Sequence, residues 1–284
     1  MENSGAGLAR VVVRQRGVKT ILFAIAIPVL ALATPRAADA CSPVPCWQGY
    51  FVPGDAAHVP ANLPAVYWRP MLSSSNPMTA DPSRVVLTST AEPGKPLPFK
   101  ATALANGDFL LVLDAPLTAG TSYTITDSST CDFTGEHGPH ATFTAAPAAP
   151  LPTYLGALVV TDGEVAPLEV ASSSGSCFSE VSADRSTFVL APATDAQPWL
   201  DVLQFETLVD GTKWRAVSGI GQTLPPGASW QGRGSDLLYR VCKTTDTSVD
   251  QGLATGTHDV ELRATLPGTP VMLTSDSATV VVSL

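Results

Sequence analysis

The sequence lacks the short signatures that announce common enzyme chemistries. It contains no Gly-x-Ser-x-Gly elbow, no glycine-rich phosphate loop, no dinucleotide fingerprint and no EF-hand spacing. Charge is scarce too: Asp, Glu, Lys and Arg make up 14% of the 284 residues, and 16 basic side chains face 25 acidic ones. With no basic patch, the chain has nothing to hold a phosphate backbone or an anionic lipid surface, so nucleic acid is excluded as a partner. Long apolar runs are missing as well. The longest uncharged stretch of that kind, Thr20 to Ala33, has fourteen residues and contains Pro28, too short to cross a bilayer comfortably. No helix-period apolar stripe exceeds about two turns, which argues against a helical bundle.

What is present begins with a leader. Arg10, Arg14, Arg16 and Lys19 precede the apolar run, and Ala38-Asp39-Ala40 supplies small residues where a signal peptidase reads. Residues 1–40 are therefore expected to be a signal peptide, cut after Ala40. Lipidation of Cys41 is the alternative, since Ser42 follows it. Ala38 stands where such signals usually carry Leu, however, and seven residues separate Ala33 from Cys41. Removing the leader leaves 11 basic and 23 acidic side chains, a net charge of −12 over 244 residues. The mature chain is expected in the cell envelope or outside the cell, with no membrane span of its own.

Strand-like runs bounded by turn residues recur every eight to twelve residues, the pattern of β-sandwiches. A Pro/Ala stretch (AAPAAPLPT, 145–153) cannot join a sheet ladder and divides the chain. The expected class is all-β: two consecutive Ig-like or fibronectin-like sandwiches, 41–145 and 154–284, joined by a linker over 146–153. In the first, FKATALANGDFLLVLD (99–114) reads as a hairpin turned at Asn106-Gly107, a pair that accepts positive φ at both positions. Strands are expected at 64–68, 84–88, 123–126 and 141–144. Trp68, Leu87, Phe109, Leu111, Leu113, Ile125 and Phe143 hold the apolar phase and are the candidate core. In the second, Asp210-Gly211 turns a hairpin between 201–209 and 212–217, with further strands at 237–242, 258–265 and 278–284. The last of these, TVVVSL, is apolar enough to lie inside a sheet. Asp162-Gly163-Glu164 reads as a turn rather than a calcium loop.

PLTAGTSYTIT (116–126) combines a Leu, a Pro/Gly corner and a strand-opening Tyr, the ingredients of a tyrosine corner. Together with VPGDAAHVPANLPAVYW (52–68) and the closing ATFTA (141–145), it resembles the bacterial Ig-like domain of S-layer and other surface proteins. That family opens with a Pro-x-Asp/Gly turn and a Val-Pro element, carries a Leu-x-x-Gly-Thr-x-Tyr corner and ends in a Phe-Thr-Thr-like strand. The likeness covers residues 51–145, about forty per cent of the mature chain. It departs at 129–140, where Cys131 is inserted into what is often an Asp-x-x-Gly-Asn turn. The resemblance implies a sandwich fold, life at the cell surface and contacts with protein or glycan, and it implies no reaction.

All five cysteines, Cys41, Cys46, Cys131, Cys177 and Cys242, follow the leader, in a compartment where disulfides persist. If strands alternate through the first sandwich, Cys46 before the first strand and Cys131 after the sixth share a pole. Their bridge would contribute about 4 kcal/mol of chain-entropy stabilisation. Cys41–Cys131 and Cys41–Cys46 compete with it. Cys177 and Cys242 pair by elimination, and Cys41 is then free or lipidated.

The only cluster with metal-ligand residue types is Asp132, Glu136, His137 and His140, but Gly138-Pro139 forbids a helical turn between the histidines and favours a solvated loop. A secreted hydrolase, metal-dependent or not, with its site at 129–140 is the rival to a non-catalytic module. His58 stands alone, and His258 beside Asp259 is half a triad without a recognisable serine. Trp68, Trp199 and Trp214 fall in or beside strands and suit the core, whereas Trp47 and Trp230 lie in loops where a carbohydrate-binding module would display them. The function expected is adhesion, spacing or binding, without catalysis and without a cofactor.

Overall fold

The computed structural model describes residues 46–47, 49–73, 80–131, 135–171, 178–214, 234–242 and 249–283. The expected leader, Cys41, Cys177 and Trp230 lie outside them. All described residues belong to one compact unit, 41–284, and they contain no α-helix.

Among the described residues, eleven strands build the first part of the chain. They are β1 (Cys46–Trp47), β2 (Tyr50–Val52), β3 (His58–Pro60), β4 (Ala65–Arg69), β5 (Leu72–Ser73), β6 (Val85–Ser89), β7 (Glu92–Pro96), β8 (Phe99–Ala103), β9 (Phe109–Leu113), β10 (Ser122–Asp127) and β11 (His140–Ala146). One sheet runs β2-β4-β9-β8, the other β3-β11-β10-β6-β7, and β1 pairs β5 in a short clip. This is the Ig arrangement: the opening strand first joins β4 antiparallel in one sheet, then β11 parallel in the other.

Alternation decides which side chains enter the space between the sheets. Tyr123, Ile125 and Asp127 of β10 point inward while Ser122, Thr124 and Thr126 point out, and β11 buries Ala141, Phe143 and Ala145 the same way. Trp68, Leu87, Leu111, Ile125 and Phe143 are all buried in one cluster, with Phe109 and Leu113 partly covered at its margin. Each fully buried side chain of that size contributes roughly 1.5–3 kcal/mol over exposure. The tyrosine corner is closed: the Thr118 backbone N–H donates to Tyr123 Oη at 2.7 Å.

The 99–114 hairpin forms, but its turn differs from the expected two-residue type. Gly107 takes φ +84° while Asn106 does not enter the positive region, and the loop spans 104–108 with Leu104 N–H donating to Asp108 O at 2.8 Å. The reason lies across the sheet. Asp108 is buried and accepts from Tyr67 Oη, from both Arg69 Nε and Nη2 at 3.2 Å, and from Asn106 Nδ2 at 2.5 Å. Four donors converging on one carboxylate hold the loop in its wider form.

The second part contains β12 (Gly156–Ala171), β13 (Phe178–Pro192), β14 (Gln204–Val209), β15 (Thr212–Lys213), β16 (Ser235–Val241), β17 (Gly256–Thr265), β18 (Met272–Thr274) and β19 (Ala278–Val282). One sheet is β12-β13-β16; the other is β15-β14-β17, with β18 and β19 both on the far edge of β17. Among the described residues, these two sheets form the second sandwich. Here Asp210 and Gly211 both take positive φ, +50° and +74°, as a two-residue hairpin demands.

Two expectations for this part fail. Asp162-Gly163-Glu164 is no turn: it lies inside the 16-residue β12, where the register against β13 shifts between Thr161 and Glu164. A side chain on Gly163 would meet the Arg185 carbonyl at 2.9 Å and Asp184 Oδ1 at 2.7 Å, so the glycine serves a bulge with close backbone approach. Beyond the bulge the hairpin changes its buried face. Phe188 and Leu190 enter the main core, while Leu168, Val170, Val181 and Ala183 form a separate cluster with Tyr239, Val241 and Val249. Nor does 278–282 lie in a sheet's interior: it forms a strand, as expected, but at an edge. In β19, Val280 and Val282 are buried but Val281 is 66% exposed, because this edge strand has one packed face.

The two sandwiches meet through the Pro/Ala segment. Asn62 brackets Ala149 with two hydrogen bonds (Asn62 Nδ2 to Ala149 O, 2.8 Å; Ala149 N–H to Asn62 Oδ1, 3.0 Å). Trp199, fully buried, donates its indole N–H to Pro150 O at 2.8 Å, and both N–H and hydroxyl of Thr153 donate to Asp195 Oδ2 at 2.8 Å. His58 N–H reaches Asp201 Oδ2 at 2.8 Å. One buried cluster runs from Trp68 through Leu155 to Trp199 and Leu262 without a break.

Candidate functional site

Among the described residues, sulfur, histidine and buried polar atoms come together at the pole of the first sandwich where β10 ends. Cys46 and Cys131 form a disulfide there, with Cα atoms 6.1 Å apart, and Met71 packs against it. The strand order explains the pairing, since β1 enters and β10 leaves at the same end. Cys242 carries a free, half-buried thiol. Its backbone N–H donates to Ser182 O at 2.9 Å, whereas Phe178, the neighbour of Cys177, stands four residues along β13. Cys177, its expected partner, is outside the described residues.

The described residues of the 129–140 loop, on either side of 132–134, bond to one another. Cys131 N–H donates to Glu136 O at 2.8 Å, Gly138 N–H to Ser129 O at 2.7 Å, and Thr130 bridges His137 in antiparallel fashion. Gly138 and Pro139 are buried, while His137 and His140 are exposed. The loop thus turns its backbone inward and its imidazoles to solvent. Among the described residues no three His, Cys, Asp or Glu side chains converge on a point where a metal ion could sit.

His258 does not pair with the Asp259 side chain. Its Nδ1 lies 2.7 Å from Asp210 Oδ2 and its Nε2 lies 2.9 Å from Ala254 O. Asp210, in the β14–β15 turn, also accepts from Asp259 N–H at 2.9 Å. Both ring nitrogens face atoms that only accept, so the geometry suits an imidazolium. The Asp210 carboxylate, then the Ala254 carbonyl, raise the His258 pKa above its ordinary value, and His258 followed by the Asp259 N–H lowers that of Asp210. Sequence reasoning missed this pair because 48 residues separate its members. Tyr67 is likewise raised, by burial first and then by its bond to Asp108.

The tryptophans divide as packing demands. Trp68 and Trp199 are in the core, and half-buried Trp214 donates its N–H to Leu237 O at 3.0 Å while meeting Tyr239 edge-on at 5.5 Å. Trp47 lies in β1 and Trp230 outside the described residues. Among the described residues no helix is long and apolar enough to cross a membrane.

No protein-family description matches the chain, and no curated protein matches its sequence. Among solved structures it is similar to the tandem Ig repeats of Dlar, at 13% identity over 84% of this chain and 95% of that one, with a TM-score of 0.23. The N-terminal Ig1-2 module of the Drosophila receptor protein tyrosine phosphatase DLAR gives 14% identity over 84% and 100%, with a TM-score of 0.24. The N-terminal part of the bacterial S-layer protein SbsC gives 13% identity over 84% of this chain and 45% of that one, with a TM-score of 0.25.

Proposed function

We propose that the chain is a non-catalytic, secreted or cell-surface Ig-like protein whose two sandwiches act together as a stiff adhesion, spacer or binding module. The observation that carries this reading is the clamp between them. Asn62, Trp199, Asp195 and Asp201 each fix the connecting segment or its flanks, and the apolar core continues across the junction. A linker held at both ends transmits position and force, which a spacer requires and a flexible tether cannot do. A disulfide in the first sandwich fits an oxidising compartment, and an acidic surface fits a protein that avoids anionic membranes. In this reading residues 1–40 are the removed leader, 41–145 and 154–284 the two sandwiches, 146–153 their connection, and the partner a surface protein or glycan.

Small-angle X-ray scattering on the mature protein tests it. The wild type should scatter as one rigid particle, and Asn62→Ala combined with Asp195→Ala should add flexibility without unfolding either sandwich. A wild-type profile already typical of two freely jointed bodies would sink the stiff-module reading. Hydrolytic turnover lost in His137→Ala or His140→Ala would sink the non-catalytic one.

A further inference from the structure

Beneath the disulfide pole lies a partly open pocket of about 10 Å³ whose lining includes Trp68, Met71, Asp81, Arg84, Asp127 and Ser129. Three of its lining residues carry buried polar atoms with no partner: Trp68 Nε1, Asp127 Oδ2 and Ser129 Oγ. Trp68 is 1% exposed, Asp127 2% and Ser129 6%. A buried polar atom left unsatisfied costs about 1–3 kcal/mol, so three around one cavity call for an occupant.

The chemistry of the three atoms selects its class. The indole N–H only donates, which refuses a cation, while Arg84 and Asp81 in the same wall carry opposite charges that offset one another. The carboxylate oxygen only accepts, which refuses an anion in so buried a place. What remains is a small neutral molecule that both donates and accepts. A single water needs roughly 10–15 Å³ for its centre and two to four polar partners, and this cavity supplies both. The surrounding backbone is built to keep the three atoms in place. Ser129 N–H donates to Asp127 Oδ1 at 2.9 Å, and Asp127 N–H donates to Pro139 O at 2.9 Å. A Cβ on Gly138 would stand 2.6 Å from Asp127 O and 2.7 Å from Ser129 Oγ, so only glycine permits the loop to close here.

We propose that this cavity is the binding site of one structural water, which accepts from Trp68 Nε1–H, donates to Asp127 Oδ2 and exchanges a hydrogen bond with Ser129 Oγ. Trp68 belongs to the β2-β4-β9-β8 sheet, whereas Asp127 ends β10 in the facing sheet. The water thus ties the two sheets together beside the disulfide, where the 129–140 insertion would otherwise leave a polar gap.

A crystal structure of the full mature chain at a resolution that orders water, together with that of Ser129→Val, provides the test. The wild type should show one density peak within hydrogen-bond distance, about 2.7–3.2 Å, of all three atoms. In Ser129→Val, whose methyl groups occupy the space, that peak should be lost. A water-selective NMR cross-peak to the Trp68 indole N–H, present in the wild type and absent in the variant, reads the same site in solution. An empty wild-type cavity, an Arg84 side chain seated on Asp127 Oδ2, or a peak with several oxygen ligands at metal distances would overturn the proposal.

Discussion

Removing the Cys46–Cys131 bridge should lower the stability of the first sandwich by an amount that its topology sets. The two residues are 85 apart in sequence, and closing a loop of that length in the unfolded chain gives about 4.5 kcal/mol in the chain-entropy account. Cys46 is 5% and Cys131 1% exposed, so the double substitution Cys46→Ala, Cys131→Ala also loses contacts with Met71 but leaves no buried hydroxyl. Native-state amide hydrogen exchange separates the two sandwiches, which a global melt would mix. The most protected amides of β4 and β10 should exchange roughly a thousandfold faster in the variant, with β13 and β17 changing far less. Reducing the wild type under native conditions should approach the same state. A change under about 1 kcal/mol at β4 and β10, or an equal loss in both sandwiches, would refute the view that this bridge restrains the first sandwich's unfolded ensemble.

Tyr123→Phe keeps the ring against Phe143 and removes only the acceptor for Thr118 N–H, so urea midpoints should fall by an amount equivalent to about 1–2 kcal/mol, with an unchanged slope. The His258–Asp210 pair makes stability depend on pH in a defined direction. The folded His258 pKa is raised above 6.5, so its contribution is complete below that value and is lost as pH rises through the folded pKa; that of Asp210, lowered from 3.8, is lost as pH falls through its folded pKa. Thermal midpoints should therefore decline from pH 6 to pH 8 in the wild type, and His258→Gln should flatten that decline. A variant with the same slope as the wild type would show that the pair contributes nothing to it.

How far the fold could be read from the residues depended on whether the determining contact was local. The strands β6, β10 and β11 announced themselves because a sandwich core imposes a period of two, and each keeps it, whereas β4 is apolar enough to read as a strand although four of its residues in a row are buried. Thr118 and Tyr123 lie five residues apart, so the corner was legible as well. The Cys46–Cys131 bridge needed only strand alternation. The long hairpin of β12 and β13 escaped, since its buried face switches at the Gly163 bulge and an Asp-Gly-Glu triplet there imitates a turn. Asn106-Gly107 misled for a related reason: Tyr67 and Arg69, distant in sequence, draw Asp108 into the sheet and widen the loop. The clamp on residues 149–153 was invisible too, because Pro/Ala composition specifies extension but does not name the side chains that grip it. At the candidate site, the histidine pair and its glycine could be picked out, but which atoms turn inward could not. That depends on the approach of Gly138 to Asp127 and Ser129.

Export followed by oxidation into paired sheets is tested most directly by the intact mass of the natively exported protein, before and after reduction. The predicted species begins at Cys41 and gains hydrogens on reduction, with peptide mapping assigning a bridge to Cys46 and Cys131. A full-length chain retained inside the cell, with Cys46 and Cys131 both alkylated as free thiols, would contradict it.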